Sequence, residues 1–195
     1  MPTSIDGFVA DFLAAGPTGG EVLDLGTGTA QIPIELCRQD PGFRVLAVDL
    51  SGHMLLMAGD NIRRAGLAER IKTERIDAKR LPYADGAFAA VMSNSIVHHI
   101  AEPGQLLAEA LRVTAAGGLV FIRDLMRPVD QPTLSRLVDT YAAGANAHQR
   151  QMFDDSLHAA LDLDEVRALV VKLALPPTTV APTSDRHWTW AVRKA

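Results

Sequence analysis

The stretch EVLDLGTGTAQIPI, from Glu21 to Ile34, constrains this chain more than any other. Val22, Leu23 and Leu25 form an apolar run suited to a parallel strand buried on both faces. Gly26, Thr27, Gly28 and Thr29 follow as a turn too tight, and too close to any ligand, for side chains at the glycine positions. Ala30 to Gln39 then reads as a helix, with Pro33 near its first turn, where a missing N–H costs little. A strand, a glycine turn and a helix N-terminus in that order make a seat for a charged, nucleotide-like ligand.

Which ligand is decided by two positions. A dinucleotide fingerprint needs a third glycine three residues after the second, so that helix and strand pack closely; here that residue is Gln31. Asp24 lies inside the strand end, where a carboxylate repels a pyrophosphate and suits a cationic amino group. The expected ligand therefore carries an ammonium. Asp24-Leu25-Gly26-Thr27-Gly28-Thr29 resembles the first motif of class I S-adenosylmethionine-dependent methyltransferases of the small-molecule type. Leu81 to Phe88 resembles that family's second signature, and Gly117-Gly118 before an apolar strand its third. The resemblance covers residues 20–125 by motif and the remainder by element order. It implies an α/β fold, a Rossmann-like doubly wound sheet of seven strands with the last antiparallel and helices on both faces. It also implies S-adenosylmethionine as methyl donor and S-adenosylhomocysteine as product. A nicotinamide oxidoreductase of related topology is the rival disfavoured by Asp24 and Gln31. A non-catalytic domain that binds the donor and acts through a partner is another.

Composition narrows the class. At 195 residues the chain is expected to form one domain around a single core. Its apolar fraction of 48% and charged fraction of 22% are those of an ordinary globular protein. A net charge of −4 without any basic run argues against a nucleic-acid surface. Cys37 is the single cysteine, so neither a disulfide framework nor a cysteine-based metal cluster is expected. No apolar run reaches the roughly 20 residues of a membrane span. The opening MPTSIDGFVADF, acidic at Asp6 and Asp11, lacks the pattern of a signal peptide, so a cytoplasmic chain is expected.

In chain order, Thr3 or Ser4 can cap a helix within residues 1–16 carrying Ile5, Phe8, Val9, Phe12 and Leu13, which either closes the ligand mouth or simply packs. Phe43 to Val48 reads as the second strand and ends at Asp49, about 20 residues beyond the glycine turn, where a carboxylate accepts the ribose hydroxyls. Leu50 follows, and Ser51 caps the next helix. Met54 either covers the adenine, as the resemblance implies, or belongs to the core. Arg70 to Ile76 is the third strand. After it the resemblance places Asp77 on the adenine amino group and the Ala78 backbone on a ring nitrogen. Phe88 to Met92 reads as the central fourth strand and runs into the polar stretch Ser93 to Ile100, where Asn94 and Ser95 are candidate donor contacts. Leu119 to Ile122 is the fifth strand. Asp162 with Glu165 marks a capping box. Arg186 to Arg193 alternates with period two and closes the fold as a hairpin over residues 178–195.

Methyl transfer is an in-line displacement, so the protein mainly aligns donor and nucleophile and needs no metal. His98 and His99 are expected to point apart, with His98 the more suitable base or acceptor contact. Residues 128–160 are the expected acceptor lid over a small-molecule acceptor. Within it Leu134, Leu137, Val138 and Tyr141 repeat at helical spacing, Ala142 to Ala147 loosens, and a second short helix is expected from Asp154 to Leu161. Tyr141, His148, Arg150 and Phe153 are its candidate acceptor contacts, the alternative being an ordinary packing segment with a solvated polar face.

Overall fold

The computed structural model describes residues 5–195; the expected caps Thr3 and Ser4 lie outside them. Seven strands form one sheet: β1 (Gly20–Leu25), β2 (Phe43–Asp49), β3 (Ile71–Arg75), β4 (Phe88–Asn94), β5 (Thr114–Leu125), β6 (Val180–Pro182) and β7 (His187–Arg193). They lie in the order β3-β2-β1-β4-β5-β7-β6. The β1–β2, β1–β4, β2–β3 and β4–β5 pairs are parallel, while β7 runs antiparallel to both β5 and β6. This is the doubly wound sheet with an antiparallel last strand that the sequence leads one to expect.

Helices α1 (Ile5–Ala14), α2 (Gln31–Gln39) and α3 (Gly52–Arg64) cover one face. There Phe8, Phe12, Leu36 and Ile62 meet Val22, Val45 and Phe121 from the sheet. Helices α4 (Pro103–Val113) and α7 (Leu163–Lys172) cover the other, where Leu106, Leu107 and Val166 meet Leu23, Val91 and Val120. The period-two reading of the tail holds: Trp188 and Trp190 join that second cluster, while Ala191 packs on the opposite side. The chain runs outward from β1 through β2 to β3, then returns to place β4 on the other side of β1. That reversal opens a crevice at the carboxyl ends of β1 and β4, the place where open α/β sheets bind ligands. Across it Ser93 Oγ donates to the Leu25 carbonyl at 2.8 Å.

A third, smaller cluster joins α5 (Gln131–Tyr141) and α6 (Ala147–Ala159) to Leu125 at the end of β5. Here the sequence expectation needs correcting, because α6 begins seven residues before Asp154. Asn146 caps it in a reciprocal box with Gln149, each side chain bonding the other's backbone N–H. Such a box satisfies two orphan donors and holds a helix start even where the helix is polar nearly all round. The box at Asp162 and Glu165 forms as expected and starts α7.

Candidate functional site

The glycine turn is held in shape from both sides. Gly26 and Thr27 donate to the Val48 carbonyl at 2.9 and 3.0 Å, tying the turn to the end of β2. Gly26 has φ +72° and Gly28 φ +55°. A Cβ on Gly26 would lie 2.1 Å from Ile96 Cγ2, so the close approach is to the loop after β4 as well as to any ligand. Asp49 accepts from Gly28 N at 2.9 Å through one carboxylate oxygen and from Ser51 N at 2.8 Å through the other. It therefore ties the turn to the start of α3 and stands at the cavity wall.

Asp24 lies beneath the turn, 2% exposed, with Oδ2 lacking any hydrogen-bond partner. Burial pushes its carboxyl up to about 7; Thr27 pulls it down in part, and the negative charge of Asp49 adds to the rise. The Thr27 hydroxyl is itself buried without a partner of hydrogen-bond geometry. A buried acceptor left open costs free energy until a donor arrives, and a cationic donor returns the most.

Beside the turn is a cavity of about 580 Å³. Of the residues expected from sequence, Gly26, Asp49, Leu50, Asp77 and Ala78 line it. Asp77 accepts from both the backbone and the ammonium of Lys79, at 2.9 to 3.0 Å. These bonds, the backbone one foremost, hold its carboxyl below the usual range. The opposite wall is Ile96, His99 and Ile100. Sequence reasoning weighed His99 only as the less suitable of the two histidines and did not single out Ile96, Ile100 or Lys79 as site residues. The signal for the wall was its place directly after the central strand, at the switch point.

The other expected donor contacts stand around the cavity without lining it. The Thr29 carbonyl accepts from Asn61 Nδ2 at 3.1 Å, joining the turn to α3. Met54 is exposed on the first turn of α3 and is not part of the core. Asn94 ends β4, and Ser95, at φ +62°, donates its N–H to the Arg123 carbonyl.

The two histidines are arranged differently from the expectation. Val97–His99 form a 3₁₀ turn that brings their rings together, centroids 4.0 Å apart. His98 is the buried one, its side chain 5% exposed and Nδ1 2.6 Å from Asp124 Oδ1. Asp124 also accepts from the backbone of Val97 and Leu125, so it knits this turn to β5. His99, not His98, faces the cavity, and burial with the neighbouring His98 lowers its basicity.

The expected lid contacts are likewise engaged elsewhere. Tyr141 donates to Asp185 at about 3 Å beneath the Arg186 guanidinium, 3.4 Å from its ring. Arg150 pairs with Asp139 and donates to the Ala142 carbonyl, clamping α6 to α5. Phe153 packs on the small third cluster, and His148 is exposed. None of the four lines the 580 Å³ cavity. Helix α6 does pack against the 3₁₀ turn that carries His99. Among the described residues no group of histidine, cysteine and carboxylate side chains could hold a metal, and no helix is long and apolar enough to cross a membrane.

The fold is that of a known class. The model of a family described as a methyltransferase domain matches residues 23–122, and the chain belongs to that family. Over 111 residues it is 32% identical to the ubiquinone/menaquinone biosynthesis C-methyltransferase UbiE of Geobacter sulfurreducens, covering 56% of this chain and 43% of that protein. The chain thus spans less than half the length of that curated relative. A SAM-dependent methyltransferase from Aquifex aeolicus superposes with a TM-score of 0.71 at 16% identity, over 98% of this chain and 92% of its own. The cyclase SpnF superposes with a TM-score of 0.64 at 19% identity, over 96% and 81%. At these identities the solved structures speak for the fold alone.

Proposed function

We propose that this chain transfers a methyl group from S-adenosylmethionine to a small-molecule acceptor by in-line displacement. The observation that carries the reading is the buried carboxyl of Asp24 under the glycine turn, with Oδ2 left without a partner. An ammonium fits it and a diphosphate does not, which disfavours the nicotinamide alternative. Asp49 would hold the ribose hydroxyls, with Gly26 and Gly28 leaving room for the chain between. Asp77 and the Ala78 backbone would take the adenine edge, between Leu50 and the Ile96–Ile100 wall. When bound, the donor supplies an electrophilic methyl on a sulfonium. The protein's part is alignment and exclusion of water. His99 stands at the cavity as a neutral imidazole able to accept a proton, and its lowered basicity keeps it neutral at pH 7. Residues 128–160 form the acceptor side through α6 and its contact with the His99 turn. C-methylation, the activity named for the Geobacter relative, is the first to assay, and cytoplasmic placement fits the composition.

One fold hosts different chemistries, so donor binding and turnover are separate tests. Calorimetry with S-adenosylhomocysteine and with NAD should show binding of the first alone. Turnover is then read as S-adenosylhomocysteine formed from S-adenosylmethionine with a panel of quinol, phenol and small-acid acceptors. Binding without turnover on any of them supports a donor-binding domain that acts through a partner. Binding of NAD instead overturns the reading.

A further inference from the structure

A second cavity, about 340 Å³, lies beside α1 on the face formed by β5, β6 and β7. It shares no residue with the 580 Å³ cavity. Its wall includes Arg123, a charged residue only 1% exposed. The guanidinium lies beside the edge-to-face pair of Phe8 and Phe121, 5.5 and 5.7 Å from their centroids. Nε donates to Thr189 Oγ1 at 3.0 Å and Nη2 to Asp11 Oδ2 at 2.7 Å. Nη1 is buried and has no partner. Arginine offers its donors as a planar fork that a carboxylate matches with two parallel bonds. Asp11 engages one prong only. Its side chain is 58% exposed, so it can swing to water at little cost. Thr183 and Thr189 add a pair of hydroxyls 2.8 Å apart at the same wall, one of which can turn to an incoming oxygen.

We propose that Arg123 anchors the carboxylate of a small acid that enters this cavity and displaces Asp11, taking both prongs of the fork. Exchange of one carboxylate for another leaves the buried charge balanced, which a neutral ligand could not do. The position suits an acceptor. Asp24 pairs with Met92 and Met92 with Phe121, one pleat below Arg123 on the same face. Two strand spacings put the anchor about 10 Å from the line of Asp24, the reach of a small molecule whose nucleophile lies several bonds from its acid group. As the seat of a methyl acceptor this rests on the methyl-transfer reading; as a carboxylate site it does not.

Benzoate and benzamide, which differ only in the charged group, serve as probes. Binding is followed through the Thr183 and Thr189 methyl signals of the intact chain by NMR, with and without S-adenosylhomocysteine. Benzoate should bind, benzamide should not, and the donor product should leave benzoate in place. Asp11→Asn, a change at an exposed side chain, removes the internal competitor and should tighten benzoate about tenfold. Arg123→Lys keeps the charge without the fork and should weaken it at least tenfold. No benzoate binding to the parent or to Asp11→Asn overturns the proposal and leaves Arg123 as a brace for α1. Equal binding of benzamide overturns it in favour of a merely apolar crevice. Displacement by S-adenosylhomocysteine overturns the acceptor assignment, because the carboxylate seated there would be the donor's own. The first two failures leave donor binding at Asp24 and Asp49 untouched, while the third would also move the donor's amino-acid end from Asp24 toward Arg123.

Discussion

Asp24→Asn removes the one ionisable group under the glycine turn while keeping its shape. In the folded chain the carboxyl is pushed from 3.8 to about 7 by burial. A shift of roughly 3 units corresponds to about 4 kcal/mol. Because the folded value lies above the unfolded one, the ionised form is what the fold disfavours. The contribution of this group to stability is therefore fully present below about pH 4 and is lost as pH rises toward and through 7. His187 acts in the opposite sense: burial lowers it to about 4, so its neutral form favours the fold and stability is lost as pH falls from about 6.5. A single unfolding curve mixes these two with every other group whose value shifts on folding, Asp77 and Asp162 among them. The difference between wild type and Asp24→Asn isolates the first, and urea unfolding at half-unit steps from pH 4 to 8 should show it moving by about 4 kcal/mol. The same carboxyl reports the ligand. At pH 6 roughly nine-tenths of it is protonated in the free protein, given a value near 7. An arriving ammonium should expel nearly one proton, measurable by calorimetry in two buffers of different ionisation enthalpy. A flat difference curve would refute the buried-charge argument. Binding of S-adenosylhomocysteine with no proton release would refute the placing of its ammonium at Asp24.

Other outcomes follow from the same geometry. Gly26→Ala combines a left-handed φ with a Cβ forced onto Ile96, and should destabilise by about 2–4 kcal/mol in urea unfolding. Adding Ile96→Ala should recover the clash but not the backbone strain. Asp49→Ala removes the carboxylate proposed to hold the ribose hydroxyls and frees Gly28 and Ser51 N–H, so S-adenosylhomocysteine affinity should fall by on the order of 1–3 kcal/mol by calorimetry. Arg150→Ala unclamps α6 from α5; thermal unfolding should show a loss of roughly 1 kcal/mol with donor affinity unchanged. Lowered acceptor turnover with thermal stability and donor affinity held would instead return Arg150 to the acceptor side.

What could be read from sequence was what local chemistry decides. The glycine turn, the carboxylate ending β2 and the capping box at Asp162 are each written within a few residues, and each is found where expected. The α6 start is also written locally, as Asn146 and Gln149, but the helix lacks an apolar stripe, so periodicity does not extend it upstream of Asp154. The histidines could not be ordered from sequence. Which ring faces the cavity is fixed by Asp124, 26 positions away, and by a 3₁₀ turn that no periodicity announces. Arg123 was less legible still. A charged residue after an apolar strand reads as the strand's end, yet it is buried by Phe8 and paired with Asp11 across 112 positions.

The bond from Ser93 to the Leu25 carbonyl spans 68 residues of chain. Closing a loop of that length costs about 4 kcal/mol of chain entropy before the contacts it permits can offset it. The glycine turn can take shape early beside β2, but the crevice has only one wall until β4 docks. Parallel pairings between distant segments are the slow part of folding. The binding site is therefore among the last things this chain makes, and ligand can recognise only molecules that have finished. A nascent or truncated chain ending before Phe88 would carry the entire glycine motif and have nowhere to use it.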